Sequence, residues 1–417
     1  MIFDKANELD RNDPLKDFQG LFTKPSNLIY LDGNSLGMLP KITSKRMEQV
    51  INDEWGQELI GSWNKNWLEL NKRVENKLGQ IINADSQEIF VGDSTSINLY
   101  KLAKALMQSK KYQKNFVTDN LNFPSDRYIL SGIADYDNIT YQEIIFDDLS
   151  EANLPKIEHS FKNHPGVYCF SLTTYLSAYL YPVKKINRLA KKFNSIVIWD
   201  FSHAIGAVEI DVKQQEILAA VGCTYKHLNG GPGAPGFLFV EKETNESMLT
   251  PIQGWFGHSK TFDFADEYQK GSGSKQYKVG TPNILSLAAM ECGLDITLEA
   301  TVSTIRSKNL TMAKFVQDYI QDELKVFGVE VFGPTNELSR GGHLTVTHSE
   351  NWRICKALQE IAAPKIITDF RPDSFMRIAF TPLYTSYEEL AYFLNSLKNI
   401  LETKSYLSID SSRPEVT

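Results

Sequence analysis

The chain has 417 residues, which is enough for two or three domains and a substantial core. With 42% hydrophobic and 23% charged residues, its composition is that of an ordinary globular protein. A net charge of −7 argues against general binding of nucleic acid. The first residues carry too many charges for a signal peptide, and no run of about 18 apolar residues suggests a membrane segment.

The four cysteines, at positions 169, 223, 292 and 355, are scattered along the chain. They form no CxxC pair and show no Cys/His spacing, so the sequence suggests neither a zinc site nor a disulfide framework. We therefore expect a cytoplasmic protein with reduced thiols and without a bound metal.

The N-terminal region alternates turn-rich and helical segments. Residues 1–30 form a charged arm that ends in a short apolar piece, and residues 31–40, LDGNSLGMLP, are dense in turn formers. Apolar residues then recur at helical spacing over 42–60 and again over 67–82. Trp63 lies in the polar link between these two predicted helices.

From about residue 88, short apolar runs alternate with amphipathic helical segments, which is typical of a doubly wound parallel sheet. The apolar runs are 89–91, 116–118, 139–146, 167–172, 196–199, 219–223 and 236–240, and the clearest helical segments are 97–107 and 184–193. We therefore predict an α/β domain.

Two turns in this region have the composition of ligand contacts. Thr95 and Ser96 begin a predicted helix, where free backbone N–H groups and the helix dipole favour a phosphate. The same residues are equally good ordinary N-caps. In the segment NFPSDRY, Phe123 could lie on a flat ring and Asp126 could reach its polar edge, although a proline turn with a helix cap explains the same letters.

The most informative stretch runs from residue 195 to 236. One apolar run ends in Asp200, and the next is followed by Lys226 and a glycine-rich turn. Ligand crevices lie at the carboxyl ends of parallel strands, so a carboxylate and an amine should meet there. Pyridoxal phosphate needs a lysine for its aldehyde and an acid for its ring nitrogen, and His203 could stack on its plane. The alternative is a loop-capping aspartate and a solvated lysine.

The rest of the chain changes character. A polar, glycine-rich stretch at 267–282 is of a kind that can be mobile, and 284–324 is helical in period. Strand-like runs and two further helices then indicate a smaller α+β domain, and the tail 411–417 has a disordered composition. Within this domain Arg377 lies in an apolar strand, where its planar fork suits a substrate carboxylate. A structural ion pair with Asp369 or Asp373 is the alternative.

Seven segments together resemble the kynureninase family, and they follow the family's order over nearly the whole chain. They are YLDGNSLG, NFPSDRY, WDFSHAIGAVEIDV, GCTYKHLNGGPGAPGFLFV, GWFGH, GTPNILS and RIAFTPLY. The resemblance implies the α/β fold of the aspartate-aminotransferase type, fold type I of pyridoxal-phosphate enzymes, with a large, mostly parallel-sheet domain and a smaller α+β domain. The expected divisions are 1–60, an N-terminal arm and helix belonging to the small domain, 61–290, the large cofactor-binding domain, and 291–417, the C-terminal small domain.

The resemblance also implies an activity and an assembly. The cofactor would be pyridoxal 5'-phosphate, and the protein would be a cytoplasmic homodimer with active sites at the subunit interface. Its reaction would be hydrolysis of L-kynurenine or 3-hydroxykynurenine to anthranilate or 3-hydroxyanthranilate and L-alanine. This reaction belongs to the kynurenine pathway, in tryptophan catabolism and NAD biosynthesis.

Residue roles follow from the resemblance position by position. Lys226 would be the Schiff-base lysine, and Asp200 would pair with the pyridinium nitrogen. Tyr225, beside the lysine, would donate a proton to the product that becomes alanine, and Arg377 would bind the substrate carboxylate. The remaining predicted contacts are Thr95, Ser96, Phe123, Asp126, Ser171 and His203 around the cofactor, Trp255 and Thr281 reaching it from the other subunit, and Ser35 and Trp63 near the aromatic end of the substrate.

Two departures from the family pattern bear on substrate preference more than on the cofactor. After Ser171 the family usually carries a Tyr-Arg-Ser/Thr-Gly turn, whereas Leu176 and Ala178 stand here in place of the arginine and the glycine. The stretch QYKVGTP also lacks the Arg-Phe and small-residue pattern expected before GTP. The alternatives are therefore another γ-keto amino acid as substrate, an aminotransferase or desulfurase activity on the same fold, and a non-catalytic binding or regulatory relative.

Overall fold

The computed structural model describes residues 2–334 and 336–412. Residues 413–417 of the predicted disordered tail lie outside the described part of the chain. No helix among the described residues is long and apolar enough to cross a bilayer.

Helices and strands alternate through most of the chain, as the sequence pattern predicts. The helices are α1 (Ile2–Arg11), α2 (Lys41–Gln49), α3 (Leu68–Ile82), α4 (Thr95–Gln108), α5 (Pro124–Asp137), α6 (Leu154–Asn163), α7 (Val183–Lys192), α8 (Lys242–Glu246), α9 (Ile284–Ala300), α10 (Val302–Tyr319), α11 (Asn351–Glu360) and α12 (Tyr387–Thr403). The strands are β1 (Leu28–Tyr30), β2 (Ile89–Val91), β3 (Asn115–Asp119), β4 (Thr140–Ile144), β5 (Val167–Ser171), β6 (Ile196–Asp200), β7 (Ala219–Gly222), β8 (Phe237–Val240), β9 (Glu330–Phe332), β10 (Leu344–Thr347), β11 (Lys365–Ile367), β12 (Asp369–Arg371) and β13 (Phe375–Ile378).

The largest sheet has seven strands in the order β2-β8-β7-β6-β5-β3-β4. Strand β8 is antiparallel to both of its neighbours, and the other pairings are parallel, which confirms the predicted mostly parallel sheet. Alternate residues of β6 enter different cores: Val197 and Trp199 pack on one face, and Ile196 and Ile198 on the other. Because both faces are covered, the strand is apolar throughout until it ends in Asp200.

A second, smaller unit contains a four-stranded antiparallel sheet in the order β12-β13-β10-β9. The N-terminal arm belongs to the same core, because β1 pairs in parallel with β11 and Ala6 is buried in the core of this unit. Asp10, on α1, accepts hydrogen bonds from the first two backbone N–H groups of α12, Tyr387 and Glu388, each at 2.8 Å. The arm is therefore helical and anchored, which the sequence pattern did not predict.

Two segments with a helical period are helical but interrupted. The segment 42–60 is α-helical only to Gln49 and continues as a π-helical turn and a separate 3-10 turn, with Gly56 and Gly61 weakening the helix. The segment 284–324 breaks at Thr301, whose φ is +60°. The Thr301 hydroxyl accepts a hydrogen bond from the Thr304 N–H and so begins a new helix, α10.

The polar stretch 267–282 is packed against the large sheet. Ser274, Gln276 and Tyr277 are buried, and the backbone oxygen of Tyr277 accepts a hydrogen bond of 2.8 Å from the buried Lys101 amine. The centre of this stretch is thereby fixed to helix α4.

The unusual turn after Ser171 has a conformational cost. Ala178 is fully buried and has a φ of +59°, in the left-handed region, which costs a residue other than glycine about 1–2 kcal/mol. The Gly341 N–H donates a 2.7 Å hydrogen bond to the Ala178 oxygen and holds the turn in this shape. The backbone therefore keeps the geometry expected of the family's glycine although the side chain has changed.

A buried carboxyl at the end of β3 leads to a prediction about stability. Asp119 accepts hydrogen bonds from the Tyr181 hydroxyl at 2.7 Å and the Leu121 N–H at 2.8 Å, and burial raises the pKa of Asp119 to about 7. The folded carboxyl binds its proton more tightly than the unfolded one, whose pKa is about 4. Its contribution to stability is therefore complete below about pH 4 and is lost as the pH rises to about 7.

We expect Asp119→Asn to remove this pH dependence, because the amide does not ionise. The free energy of unfolding of the variant, relative to the unaltered protein, should rise by about 1.4 kcal/mol per pH unit between about pH 4 and 7 and stay constant above that. Urea unfolding of both proteins across this range measures the difference. A difference that does not change with pH would contradict the shifted pKa of Asp119.

Candidate active site

A cavity of about 510 Å³ opens at the carboxyl ends of strands β6 and β7. Its lining contains most of the predicted cofactor contacts and several residues that were not predicted. The lining residues are Asp93, Ser94, Thr95, Ser96, Phe123, Ser125, Asp126, Asp200, Ser202, His203, Cys223, Tyr225, Lys226, Gly233, Ala234, Pro235, Gly236 and Asn283.

Asp200 and Lys226 come from neighbouring parallel strands, as predicted. Asp200 is the last residue of β6 and pairs in register with Val221 of β7, and Lys226 follows β7 by four residues. Asp200 Oδ1 accepts hydrogen bonds from the Ser202 N–H at 2.9 Å and the Ser202 hydroxyl at 2.6 Å. Lys226 Nζ lies 2.8 Å from His203 Nε2. One carboxylate, one amine and one imidazole therefore share the floor of the cavity.

Burial shapes the electrostatics of this group. It lowers the pKa of the Lys226 amine and drives the pKa of His203 well below its ordinary value, so the imidazole is neutral. Burial also raises the pKa of Asp200, against hydrogen bonds from Ser202 and the charge of Lys226. A lysine with a lowered pKa is a better nucleophile and base at neutral pH, which is the property a Schiff-base lysine needs.

Asp126 and Phe123 approach the cavity from the start of α5. Phe123 is extended at the N-cap position and Pro124 occupies the first helical position, so the predicted proline turn at a helix start is present, and Phe123 also lines the cavity. Lys226 Nζ lies 5.9 Å from the centroid of the Phe123 ring. Asp126 is buried, and its Oδ2 atom has no hydrogen-bond partner among the described residues. Burial, followed by the charge of Asp200, raises the pKa of Asp126.

The N-terminus of α4 forms the third side of the cavity. The Ser94 side chain caps the helix by accepting from the Ile97 N–H, and the first residues of the helix, Thr95 and Ser96, line the space. A Cβ atom added to Gly236 would come within 2.8 Å of the Thr95 nitrogen. The buried amine of Lys101 pairs with Asp93 at 2.5 Å and offsets a negative charge beside this helix end. The result is a compact cradle suited to a phosphate.

Ser171 lies outside the cavity lining. Its hydroxyl donates a 2.6 Å hydrogen bond to Asn122 Oδ1, which also accepts the Phe123 N–H at 2.8 Å. The Asn122 amide group in turn donates to Thr118 Oγ1 and the Cys169 oxygen. Ser171 thus acts on the site indirectly, because Asn122 links its hydroxyl to the backbone N–H of Phe123.

Arg377 is almost completely buried and is held by three separate segments of chain. Its Nε donates to Asp369 Oδ2 at 2.5 Å, its Nη1 to the Tyr175 oxygen at 2.8 Å, and its Nη2 to Ser35 Oγ at 3.1 Å. The ion pair with Asp369, the alternative to a ligand contact, is therefore present. Two of the five N–H groups of the guanidinium remain for another partner.

The loop 31–40 packs directly on the lysine segment. The Gly37 N–H donates a 2.7 Å hydrogen bond to the Tyr225 oxygen, and a Cβ atom at Gly37 would come within 2.4 Å of the Lys226 oxygen. This close approach explains the glycine, and it makes the loop, which also carries Ser35, part of the site's framework.

The remaining predicted residues lie away from the cavity. Trp255 is half exposed and stacks on Phe264, Thr281 is exposed, and Trp63 packs edge-on against Trp67. None of Trp63, Trp255 and Thr281 lines the 510 Å³ space within the described chain, and neither Arg377 nor Ser35 does. Their predicted contacts with cofactor and substrate stay predictions.

Sequence reasoning missed several residues of the lining. Ser202 and Cys223 follow β6 and β7 directly, so their place at the strand ends was a usable signal. Asn283 follows the predicted Thr281 by two positions and also had a signal in the segment GTPNILS. Asp93 and Ser125 gave no signal of their own in the sequence, because only their neighbours had side chains that suggested a ligand contact.

The cavity fits pyridoxal phosphate on four features. A helix N-terminus with a glycine cradle suits the phosphate, and a buried lysine suits the aldehyde. Asp200 offers a buried carboxylate that suits a protonated ring nitrogen, and the unpartnered Asp126 oxygen suits a polar ligand atom.

The cradle gives a prediction for cofactor affinity. We expect Gly236→Ala to raise the dissociation constant for pyridoxal phosphate at least about tenfold, because a Cβ atom 2.8 Å from the Thr95 nitrogen must displace the end of α4. Titration of the cofactor by its absorption measures this constant. Gly132→Ala is the matched control, because nothing lies within 4 Å of its added Cβ atom. Equal affinities for both variants would contradict the proposed cradle.

Comparisons with known proteins agree with this geometry. The chain matches the aminotransferase class-V family over residues 29–360. A kynureninase from Pseudomonas fluorescens is 34% identical over 403 residues, covering 95% of each chain. A kynureninase from Burkholderia pseudomallei (strain K96243) is 32% identical over 409 residues, covering 97% of this chain and 96% of the other.

Solved structures support the fold. An apo cysteine desulfurase from Thermococcus onnurineus NA1 matches with a TM-score of 0.79 at 18% identity, covering 95% of this chain and 98% of its own. A mutant of C-DES, which has glycine covalently linked to its PLP cofactor, matches with a TM-score of 0.80 at 16% identity, covering 92% and 98%. At these identities the likeness shows the fold alone, and it confirms the predicted fold type I. Taken with the two relatives that exceed 30% identity over nearly the full length, the chain belongs to the aminotransferase class-V family and, within it, to the kynureninases.

Proposed function

We propose that the protein uses pyridoxal 5'-phosphate to hydrolyse L-kynurenine, or its 3-hydroxy derivative, to the corresponding anthranilate and L-alanine. The observation that carries the proposal is the meeting of Lys226 and Asp200 at neighbouring strand ends in one cavity, in a chain of the kynureninase family.

Some residues of the cavity would hold the cofactor, and others would transfer protons. Bound pyridoxal phosphate supplies an electron sink for the carbanion that forms at the substrate's α-carbon. Asp200 would keep a proton on the ring nitrogen of the bound cofactor, and Phe123 would lie against its ring. Lys226, whose pKa burial lowers, would hold the cofactor through its amine and, when free, would act as the general base that removes the substrate's α-proton.

The bond that breaks lies further along the substrate. Water adds to the γ-carbonyl carbon, the Cβ–Cγ bond breaks, and the anthranilate leaves with the oxygen of the water. The carbon that becomes the methyl group of alanine needs a proton, and Tyr225 lies beside Lys226 to donate it. Burial raises the pKa of Tyr225, so its hydroxyl keeps the proton until this step. Arg377 binds the α-carboxylate throughout, with Ser35 beside it.

The finer assignments belong to the same proposal. We propose a homodimer in which Trp255 and Thr281 contact the cofactor of the other subunit, with Trp63 near the aromatic end of the substrate. Support comes from the exposed aromatic side chains Trp255, Phe262 and Phe264, which cluster on one loop. All four cysteines are free and buried, which supports a reducing, cytoplasmic location. There the enzyme would act in tryptophan catabolism or NAD biosynthesis.

The deciding experiment adds L-kynurenine to the purified protein with pyridoxal phosphate and follows anthranilate fluorescence together with alanine. Equal amounts of both products are the expected result. Absence of both, with the cofactor bound, would reject kynurenine and direct the search to other γ-keto amino acids. Consumption of an added keto acid would instead indicate an aminotransferase.

A further inference from the structure

We propose that Asp369 is a positioning residue for the substrate, because it fixes the guanidinium of Arg377 in the orientation that receives the substrate carboxylate. The proposal rests on the proposed role of Arg377. Neither Asp369 nor Arg377 belongs to the lining of the 510 Å³ cavity, and Asp369 accepts a hydrogen bond from Arg377 Nε, so any effect of Asp369 on the substrate passes through Arg377.

The geometry begins with the strand register. Asp369 on β12, Arg377 on β13 and Thr345 on β10 are directly opposite one another, which places them in one row on the same face of the small sheet. This row faces the turn after Ser171. Arg377 donates to the Tyr175 oxygen at 2.8 Å, and Thr345 donates to the Leu176 oxygen at 2.5 Å. The turn and the sheet therefore hold each other.

Three hydrogen bonds fix the orientation of the planar Arg377 guanidinium. The Nε–H donates to Asp369, one N–H of Nη1 donates to the Tyr175 oxygen, and one N–H of Nη2 donates to Ser35. One N–H remains on each terminal nitrogen. A pair of N–H groups on the two terminal nitrogens is the fork that binds a carboxylate with two hydrogen bonds. Among the ion pairs of the described residues, the guanidinium of Arg377 is paired with one carboxylate, that of Asp369.

Asp369 also holds a second arginine. Arg371 Nε donates to the same Oδ2 atom at 2.8 Å, so one carboxylate oxygen serves two guanidinium groups. Removing the charge of Asp369 has two opposite effects on the binding of a substrate carboxylate. The positive charge of Arg377 is less neutralised, which strengthens binding of the carboxylate. The guanidinium also loses its fixed orientation, which weakens its two hydrogen bonds to the carboxylate. The sign of the change in KM shows which consequence dominates.

The experiment compares the Asp369→Asn holoenzyme with the unaltered holoenzyme. We expect KM for L-kynurenine to rise about tenfold while kcat stays within about twofold, because the reacting atoms lie at Lys226. The inhibition constant of the decarboxylated analogue of kynurenine, which lacks only the α-carboxylate, should not change. A KM that is unchanged or lower would overturn the proposal, and so would equal weakening of the analogue.

Two further variants separate positioning from charge and from folding. Asp369→Glu keeps the charge but moves the carboxylate by one methylene. If Asp369 acts by positioning Arg377, KM should rise in this variant. If it acts only through its charge, KM should not change. This variant also serves if Asp369→Asn fails to fold. Glu330→Gln, on the exposed edge strand β9 of the same sheet, is the matched loss of charge and should leave KM unaltered.

A separate measurement keeps this test independent of the proposed reaction. If the unaltered enzyme does not cleave kynurenine, the binding of L-alanine, followed by the cofactor absorption, still reports on the α-carboxylate. The dissociation constant of alanine should rise about tenfold in Asp369→Asn. No change in that constant would reject the positioning role of Asp369 whatever the natural substrate is.

Discussion

Replacing Lys226 with alanine is expected to lower kcat by at least about a thousandfold and to remove the absorption band of the lysine-bound cofactor. Lys226 Nζ is the one amine in the lining of the cavity, as far as the structure describes the chain, and it lies 2.8 Å from His203 with a pKa that burial lowers. Its loss removes both the covalent attachment of the cofactor and the general base. Absorption spectra and steady-state rates measure the two effects separately.

The control for this variant is Lys184→Ala, on the exposed face of α7, which should leave both the spectrum and the rate unchanged. The cofactor should still bind to Lys226→Ala, with weaker affinity, because the phosphate cradle at α4 is intact. A fully active Lys226→Ala enzyme would refute the assignment of the lysine, and with it the proposed mechanism.

Arg377→Ala is expected to raise KM for kynurenine about a hundredfold while the cofactor stays bound. Charge-assisted hydrogen bonds to a carboxylate contribute about 1.5–3 kcal/mol each, so the loss of two costs at least about 3 kcal/mol, which is a factor of at least about a hundred. The buried Asp369 carboxylate keeps Arg371 as a partner, so removing Arg377 does not leave it without a counter-charge. Steady-state kinetics and cofactor absorption are the measurements.

The opposite pattern would change the interpretation of Arg377. Loss of bound cofactor, or a large fall in the midpoint of thermal unfolding, would show that its ion pair and its bonds to Tyr175 and Ser35 serve mainly to hold the two cores together. Gly132→Ala provides a control for unfolding, because its added methyl group meets nothing within 4 Å.

The sequence was most informative where chemistry and periodicity are local. Each apolar run predicted in the large sheet lies within about two residues of an observed strand, because buried parallel strands are short and apolar on both faces. Asp200, Lys226 and the α4 cap were recognisable for the same reason. Each follows its own strand closely, and the parallel arrangement then brings the strand ends together.

Long-range relations escaped the sequence. Nothing local shows that β1 pairs with β11, or that Ser35 and Tyr175 converge on Arg377. The ion pair of Arg377 with Asp369 was one of two considered from the sequence. The helix break at Thr301 had a local signal, a threonine whose side chain can cap the helix that follows, but the helical period on either side concealed it. Ser171 was predicted from the family resemblance, and only the structure shows that its hydroxyl points to Asn122.

The cofactor cavity and the arginine proposed for the substrate carboxylate belong to two different parts of the chain. Almost all of the cavity lining comes from one continuous stretch, 93–236, whereas the arginine proposed for the substrate stands on β13, in the other core. Mutations in the small sheet can therefore alter how tightly the substrate carboxylate is held while the residues around the cofactor cavity stay unchanged. Such a division allows substrate affinity to change during evolution without a change in the residues that carry out the chemistry.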